Sequence, residues 1–318
     1  MDSACGRVFP HPRAGTHTGD VATRPRRDVS VRERARALAE DHAAAPTGTA
    51  NLWSATRERW RAARERRRVR SPETDRLARE FLAGRRPLFA QRATTGRVIA
   101  DEREGWADAL DVAARAAAER PGDAAALLAA YLECAHDTAA TTLGHHFLAW
   151  HLDASGHVDR AARHLRLATV RLVLVGGMPG SGKSTLSSAL GPRLGASVLS
   201  KHSQAHPDWS YQELLRRAAV ELGLGRPVVL DASWMSPEHR IAASNLAHDT
   251  HSTLVSLCCW APKATTTRRG GPHSEPCTQA EAHINPWPGA STVNTAGSPA
   301  DSLTQALDLV EPFRNHPG

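Results

Sequence analysis

The sequence predicts two halves of different class: a mostly α-helical N-terminal half, and an α/β C-terminal half whose parallel sheet carries helices on both faces. Three observations carry this. Before residue 170 the apolar residues recur at helical spacing between Pro and Gly breaks, and apart from a short stretch near Val98 and Ile99 nothing reads as a strand. From residue 170 short β-branched runs alternate with helical segments, the pattern of a parallel sheet. The first of those strands runs into Gly177-Met-Pro-Gly-Ser-Gly-Lys-Ser184, a Gly-rich turn that opens a helix.

Residues 1–27 are rich in Pro, Gly, Thr and Arg without periodicity, which predicts disorder. Ser30-Val-Arg-Glu33 has capping-box spacing and opens a helix to about Ala45, where Pro46 and Gly48 stop it. A second helix is expected from about Ala55 to Val69. Ser71-Pro72-Glu73 caps a third, which runs to about Ala83 and stops at Gly84. Further helices fit residues 106–119, 124–137, 141–154 and 157–168. The second half then reads strand 171–176, helix 183–190, strand 197–200, helix 209–222, strand 227–231, helix 237–248, strand 253–259, strand 291–294 and helix 300–311. The expected division is a helical unit over 28–168 and an α/β unit over 169–318.

At 318 residues with 41% hydrophobic content, each half has enough apolar side chains for a core. No apolar run approaches the ~18 residues of a membrane span, and MDSACGRVFPHPRAG lacks the apolar stretch of a signal peptide, so a cytoplasmic location is expected. Five cysteines without a Cys-x-x-Cys fit neither a disulfide framework nor a zinc finger. Adjacent Cys258 and Cys259 sit in an apolar run and read as small buried residues. The net charge of +7 is concentrated in Arg57 to Arg70, RERWRAARERRRVR. Interleaved Ala and Glu make a solvated helix face the simpler reading, with a nucleic-acid surface as its rival.

Gly177, four residues, then Gly182-Lys183-Ser184 is the Walker A spacing of a phosphate-binding P-loop, here in its strand–loop–helix context. Glycines let backbone N–H groups fold around an anion, and the helix that follows points its positive end at the same place. The candidate nucleotide-binding residues are Gly177, Met178, Pro179, Gly180, Ser181, Gly182, Lys183, Ser184 and Thr185, with ATP and Mg²⁺ as the expected cofactors. Lys183 supplies charge at the β- and γ-phosphates, and the Ser184 hydroxyl is a ligand for Mg²⁺. Only three lysines occur in this Arg-rich chain, Lys183, Lys201 and Lys263, and a compact ammonium fits between phosphate oxygens where a planar guanidinium does not.

Phosphoryl transfer further requires an acid, a metal ligand and mobile positive charge. Pro227-Val-Val-Leu-Asp231 ends an apolar strand in a carboxylate, so Asp231 is the candidate metal ligand or proton acceptor. Its plainer role is to cap the turn that follows. Arg268 and Arg269, read as part of a Gly/Pro-rich lid between the last strands, are candidates to neutralise transferred charge, against an ordinary exposed pair.

With these residues in view, LVLVGGMPGSGKSTL, RPVVLDASW, WAPK, NPWP and STVNTAG together resemble the C-terminal P-loop module of a family of bacterial two-module proteins. In that family an aminoglycoside-phosphotransferase-like module precedes a small-molecule kinase module related to gluconate kinases and zeta toxins, often labelled an AAA family ATPase. FLAGRRPLFAQRATTGRVI, LLAAYLECAHDT and RAARHLRLATVRLVLVGG are similar to the first module and the junction. The resemblance covers most of residues 30–318 in pieces, most specifically at the P-loop. It implies transfer of the γ-phosphate of ATP to a small-molecule hydroxyl.

The chain also departs from the family. No lysine precedes Lys183, and ADEREGWADAL stands where the family places its catalytic loop, so the first module reads as a helical remnant without chemistry. Relatives end their second P-loop strand in Ser-Ser-Asp, whereas this chain has Val198-Leu-Ser-Lys-His202, with Asp208 close behind. His202 is thus the candidate base on the acceptor side, weighed against an ordinary solvated loop histidine. The alternative to a kinase is an ATP-binding module whose acceptor side has eroded. His136, His145, His146, His151, His157 and His164 lack metal-ligand spacing and read as packing or surface residues, and Trp53 and Trp60, at helical spacing, read as core.

Overall fold

The computed structural model describes residues 30–66, 71–201, 209–270 and 287–311. The expected disorder of 1–27 lies outside these, as do His202 and Asp208. Among the described residues, the first half comprises α1 (Val31–Ala44), α2 (Leu52–Arg66), α3 (Pro72–Gly84), α4 (Arg86–Thr94), β1 (Val98–Asp101), β2 (Gly105–Asp108), α5 (Ala109–Ala118), α6 (Ala124–Cys134), α7 (Thr141–Ala154) and α8 (Val158–Ala168). The Ser30 box forms as its spacing predicts: the Glu33 N–H donates to the Ser30 hydroxyl, and the Ser30 N–H donates to the Glu33 carboxylate at 2.9 Å.

Two elements differ from expectation. The third helix stops at Gly84 as expected, but an unexpected helix, α4, follows at once: Arg85 turns the chain and Pro87 lies in the first turn of α4, where a missing N–H costs nothing. Residues 106–108 do not start a helix either. They form β2, paired antiparallel with β1, and α5 begins only where the Asp108 carboxylate accepts from the Leu110 N–H.

The second half comprises β3 (Arg171–Gly177), α9 (Lys183–Leu194), β4 (Ser197–Ser200), α10 (Tyr211–Gly223), β5 (Val228–Asp231), α11 (Pro237–Asp249), β6 (Thr253–Trp260), α12 (Lys263–Gly270), β7 (Ser291–Asn294) and α13 (Pro299–Val310). The five strands form one parallel sheet in the order β4-β5-β3-β6-β7, which puts the Gly-rich loop at its centre. Strand alternation divides the core. Val173, Val175 and Val229 face Leu186 and Leu190 of α9 and Ala306 of α13. Leu172, Leu174, Val228 and Leu230 face Leu214 and Leu222 of α10 and Ala243 of α11.

That second cluster does not stop at residue 169. It continues without a break into Leu88, Leu110, Leu128, Leu148 and Leu165 of the helical half. Contacts across the junction fall at the N-terminal ends of the strands. Thr142 donates to the Gly225 carbonyl at 2.7 Å ahead of β5, Arg85 binds carbonyls ahead of β6, and α8 feeds straight into β3 through Val170. The helical half therefore closes one end of the sheet, and the Gly-rich loop opens at the other.

Candidate functional site

The loop after β3 is shaped by what packs behind it. Gly180 has φ +74°, and a Cβ there would come within 2.3 Å of the Thr266 carbonyl on α12, so only glycine fits. Gly182, also left-handed, caps α9, whose first turn carries Lys183, Ser184 and Thr185. The Met178 carbonyl accepts from the Ser181 N–H at 3.1 Å and from Lys183 Nζ at 2.9 Å, so the ammonium lies folded back over the loop. Burial lowers the Lys183 pKa, and nearby Asp231 pushes it back up. An incoming phosphate would give this cation the counter-charge that its surroundings only partly supply.

Asp231 sits at the end of β5, in register with Val175 of β3, so its carboxylate emerges on the same sheet edge as the loop. It is 4% exposed and accepts from the Ser200 hydroxyl at 3.0 Å. Beyond it, Tyr211 shares a 3.0 Å hydrogen bond with Ser233, stacks on His239 at 3.7 Å and lies 5.5 Å under the Lys201 ammonium. The Ser233 carbonyl accepts from the Gly177 N–H and so ties this wall to the loop.

On the other side of the loop is a cavity of about 230 Å³, lined by Gly182, Thr185, Leu186, Arg269, Thr295 and Gly297 among others. The Thr295 hydroxyl, just past β7, donates to the Ser181 carbonyl at 2.6 Å, and Arg269 Nη1 donates to the Thr295 carbonyl at 2.9 Å. Arg268 and Arg269 belong to α12 and not to a Gly/Pro-rich loop. The Thr266 N–H bonds the Pro262 carbonyl to start the helix, and the Gly-Pro run begins only after Arg269. Both side chains are exposed, and Arg269 also lines the cavity.

Lys183, Ser184, Thr185, Asp231 and Arg269 are thus gathered at one edge of the sheet; His202 lies outside the described residues. Sequence reasoning missed Ser200, Tyr211, Thr266 and Thr295. Position was the available signal for Ser200 and Thr295, since each stands at or just beyond the C-terminal end of a parallel strand, where such sheets place ligands. Ser184 and Asp231 offer a hydroxyl and a carboxylate, hard oxygen donors of the kind Mg²⁺ takes alongside phosphate oxygens.

The Arg57–Arg70 stripe is partly consumed by the fold. Arg59 points inward to Asp111 at 2.6 Å and Glu104 at 3.2 Å, and Arg61 is paired with Glu58 and Glu65. Of the histidines, His146 and His164 are buried, His145 is half-buried against His164, and Trp60 is buried.

The AAA domain family model matches residues 172–276. Together with the central loop and parallel sheet, this shows a P-loop kinase-like domain in the C-terminal half. The uncharacterized proteins Rv2004c of Mycobacterium tuberculosis and Mb2027c of Mycobacterium bovis are each 34% identical over 189 residues, covering 49% of this chain. The chain spans 38% of the length of these relatives. Similar solved structures include the M. tuberculosis APS kinase CysC in complex with AMPPNP and APS, at 19% identity and TM-score 0.39, covering 45% of this chain and 98% of that one. A gluconokinase from Sinorhizobium meliloti has 16% identity and TM-score 0.34, covering 46% and 98%. No helix among the described residues is long and apolar enough to cross a membrane.

Proposed function

We propose that the chain is an ATP-dependent phosphotransferase acting on a small-molecule hydroxyl, with its site confined to residues 169–318 and residues 28–168 a phosphotransferase-like remnant that binds no nucleotide. The observation that carries this reading is convergence: the Lys183 ammonium and the Asp231 carboxylate share the C-terminal edge of the sheet, with a nucleoside-sized cavity on one side and a polar wall on the other.

In this reading the loop amides hold the β- and γ-phosphates, and Lys183 exchanges the Met178 carbonyl for phosphate oxygens. The nucleoside enters the cavity between Thr185, Arg269 and Thr295. Ser184 and Asp231 are the side chains that would hold Mg²⁺, which when bound neutralises charge on the β- and γ-phosphates. The Ser200 hydroxyl fixes one oxygen of Asp231 and leaves the other to orient or deprotonate the acceptor hydroxyl. Arg269, at the rim of this cavity, or Arg268 beside it would neutralise charge developing on the transferred group. The acceptor then lies against Ser200, Lys201, Tyr211 and Ser233, with His202 adjoining in sequence as its candidate base.

The burial of Asp231 favours a second reading, an ATP-binding module in which that carboxylate only anchors Ser200 and no transfer occurs. Incubation with γ-labelled ATP, Mg²⁺ and a pool of sugars, aminoglycosides and nucleosides separates the two. Label on any acceptor is expected, and ATP binding with no transfer across the pool would select the second reading.

A further inference from the structure

We propose that the groove between α2 and α3 is a second ligand site, separate from the phosphate loop, that takes a flat apolar molecule bearing one negative charge. The groove encloses about 710 Å³, within the roughly 300–1,000 Å³ range of small-molecule sites. It shares no lining residue with the cavity beside the loop, and it belongs to the half that closes the opposite end of the sheet.

Its floor is apolar for a specific reason. Trp53 and Trp60 both line it, and both indole N–H groups are already committed, Trp53 to the Leu82 carbonyl at 2.8 Å and Trp60 to His146 Nε2 at 3.0 Å. What the indoles leave to a ligand is carbon: Trp60 is 5% exposed and backs the floor, and Arg57 and Arg86 lie 4.6 and 5.5 Å over the Trp53 ring. On α3 the facing positions are Ala78, Leu82 and Ala83, and the two alanines leave the depth unfilled. A carbon-lined groove with a small-residue wall suits a flat ring system better than a branched polar molecule.

The charge follows from the rim. Glu58 is neutralised by Arg61, and Asp75 sits in the first turn of α3, where the helix N-terminus compensates it. Arg57 on α2 and Arg79 on α3 have no carboxylate within ion-pair distance among the described residues. Arg57 lies 4.6 Å over the Trp53 ring, and among the described residues Arg79 donates to the Asp75 carbonyl. Two guanidinium groups with no ion-pair contact among the described residues, one from each wall, suit one carboxylate or sulfonate at the mouth of an apolar slot.

The test uses the full chain and 8-anilinonaphthalene-1-sulfonate as probe, with binding read by fluorescence at saturating Mg·ATP. One site per chain is expected, undisturbed by the nucleotide. Ala78→Phe, which fills the floor, should weaken binding by at least about tenfold, and Arg57→Gln with Arg79→Gln together by about as much. N-phenyl-1-naphthylamine, the uncharged analogue, should bind more weakly than the sulfonate and ignore the arginine changes. Because Ala78 is buried, Ala83→Trp at the exposed lip serves as a second blocking variant that leaves the core intact. Displacement of the probe by Mg·ATP, or unchanged affinity in Ala83→Trp and in the arginine pair, would overturn the proposal.

Discussion

Arg85 Nη1 donates to the Thr250 carbonyl at 2.9 Å, and this bond joins the helical half to the turn between α11 and β6. The guanidinium is fully buried and faces neutral acceptors rather than a carboxylate: it also donates to the His251 carbonyl at 3.3 Å and the Ser252 hydroxyl at 3.2 Å. Burial brings its pKa down to about 10, which still leaves it charged at neutral pH. Arg85→Met keeps much of the side-chain volume but orphans these acceptors, so a loss of about 3 kcal/mol is expected in urea denaturation. ATP affinity should scarcely change, because the clamp lies at the sheet end opposite the loop.

The buried histidines set an acid limit on the fold. His146 is stacked on Phe81 at 4.4 Å near Arg59 and Asp111, and desolvation takes its pKa down to about 3. His145 and His164 face each other with Nδ1 atoms 3.0 Å apart, at about 3 and about 4, with Arg160 and Arg163 adding repulsion at His164. All three values lie below the ordinary 6.5, so the unfolded chain binds more protons than the folded one as pH falls. Stability should therefore be complete above pH 6.5 and decline below it, by up to about 1.4 kcal/mol per pH unit for each histidine, until the folded values near 3 to 4 are reached. Thermal melts from pH 8 to 4 read this directly, and His146→Phe should flatten the acid side.

Lys183→Ala should lower ATP affinity by about 10²-fold or more while leaving the melting temperature almost unchanged. Among the described residues the ammonium's hydrogen bond is to the Met178 carbonyl within its own loop, so the fold does not depend on it. Equal ATP affinity in variant and parent, measured by calorimetry, would end the phosphate-loop reading.

What could be read from the chain without a structure follows from how local each signal is. The phosphate loop was legible because strand, glycines and Lys183 are contiguous, and Asp231 because it ends an unbroken apolar run. Helix α4 was hidden because the stop at Gly84, where α3 does end, gives no sign that a new helix starts two residues later; Gly84 is also required by a turn carbonyl, Thr250, that a Cβ would meet at 2.2 Å. Strand β1 was legible at Val98 and Ile99, but its partner β2 was hidden because Trp106 and Ala107 fit helical spacing equally well until Asp108 is seen to cap α5. Thr295 could not be assigned from spacing at all, since its hydroxyl serves a carbonyl 114 residues earlier. Arg268 and Arg269 were misplaced by the Gly-Pro run that follows them, which marks the end of α12 and says nothing of the turns before it.

The last prediction concerns Asp231, on which the choice between a kinase and a binding module depends. Its carboxylate is buried, holds the Ser200 hydroxyl at 3.0 Å and raises the pKa of the Lys183 ammonium that burial lowers. If the carboxylate orients the acceptor or supports the metal ion during transfer, Asp231→Asn should retain most of the ATP affinity and lose turnover by about 10²-fold or more. The amide keeps the shape and can still accept from Ser200, so a purely structural role would leave turnover nearly intact and cost about 1 kcal/mol at most. Ser200→Ala separates the cases further. It frees the carboxylate without removing it, so in a catalytic setting it should lower turnover by about tenfold through lost orientation, while ATP affinity stays at the parent level. Turnover unchanged in both variants would remove Asp231 from the reaction and leave its bond to Ser200 as an anchor between β4 and β5.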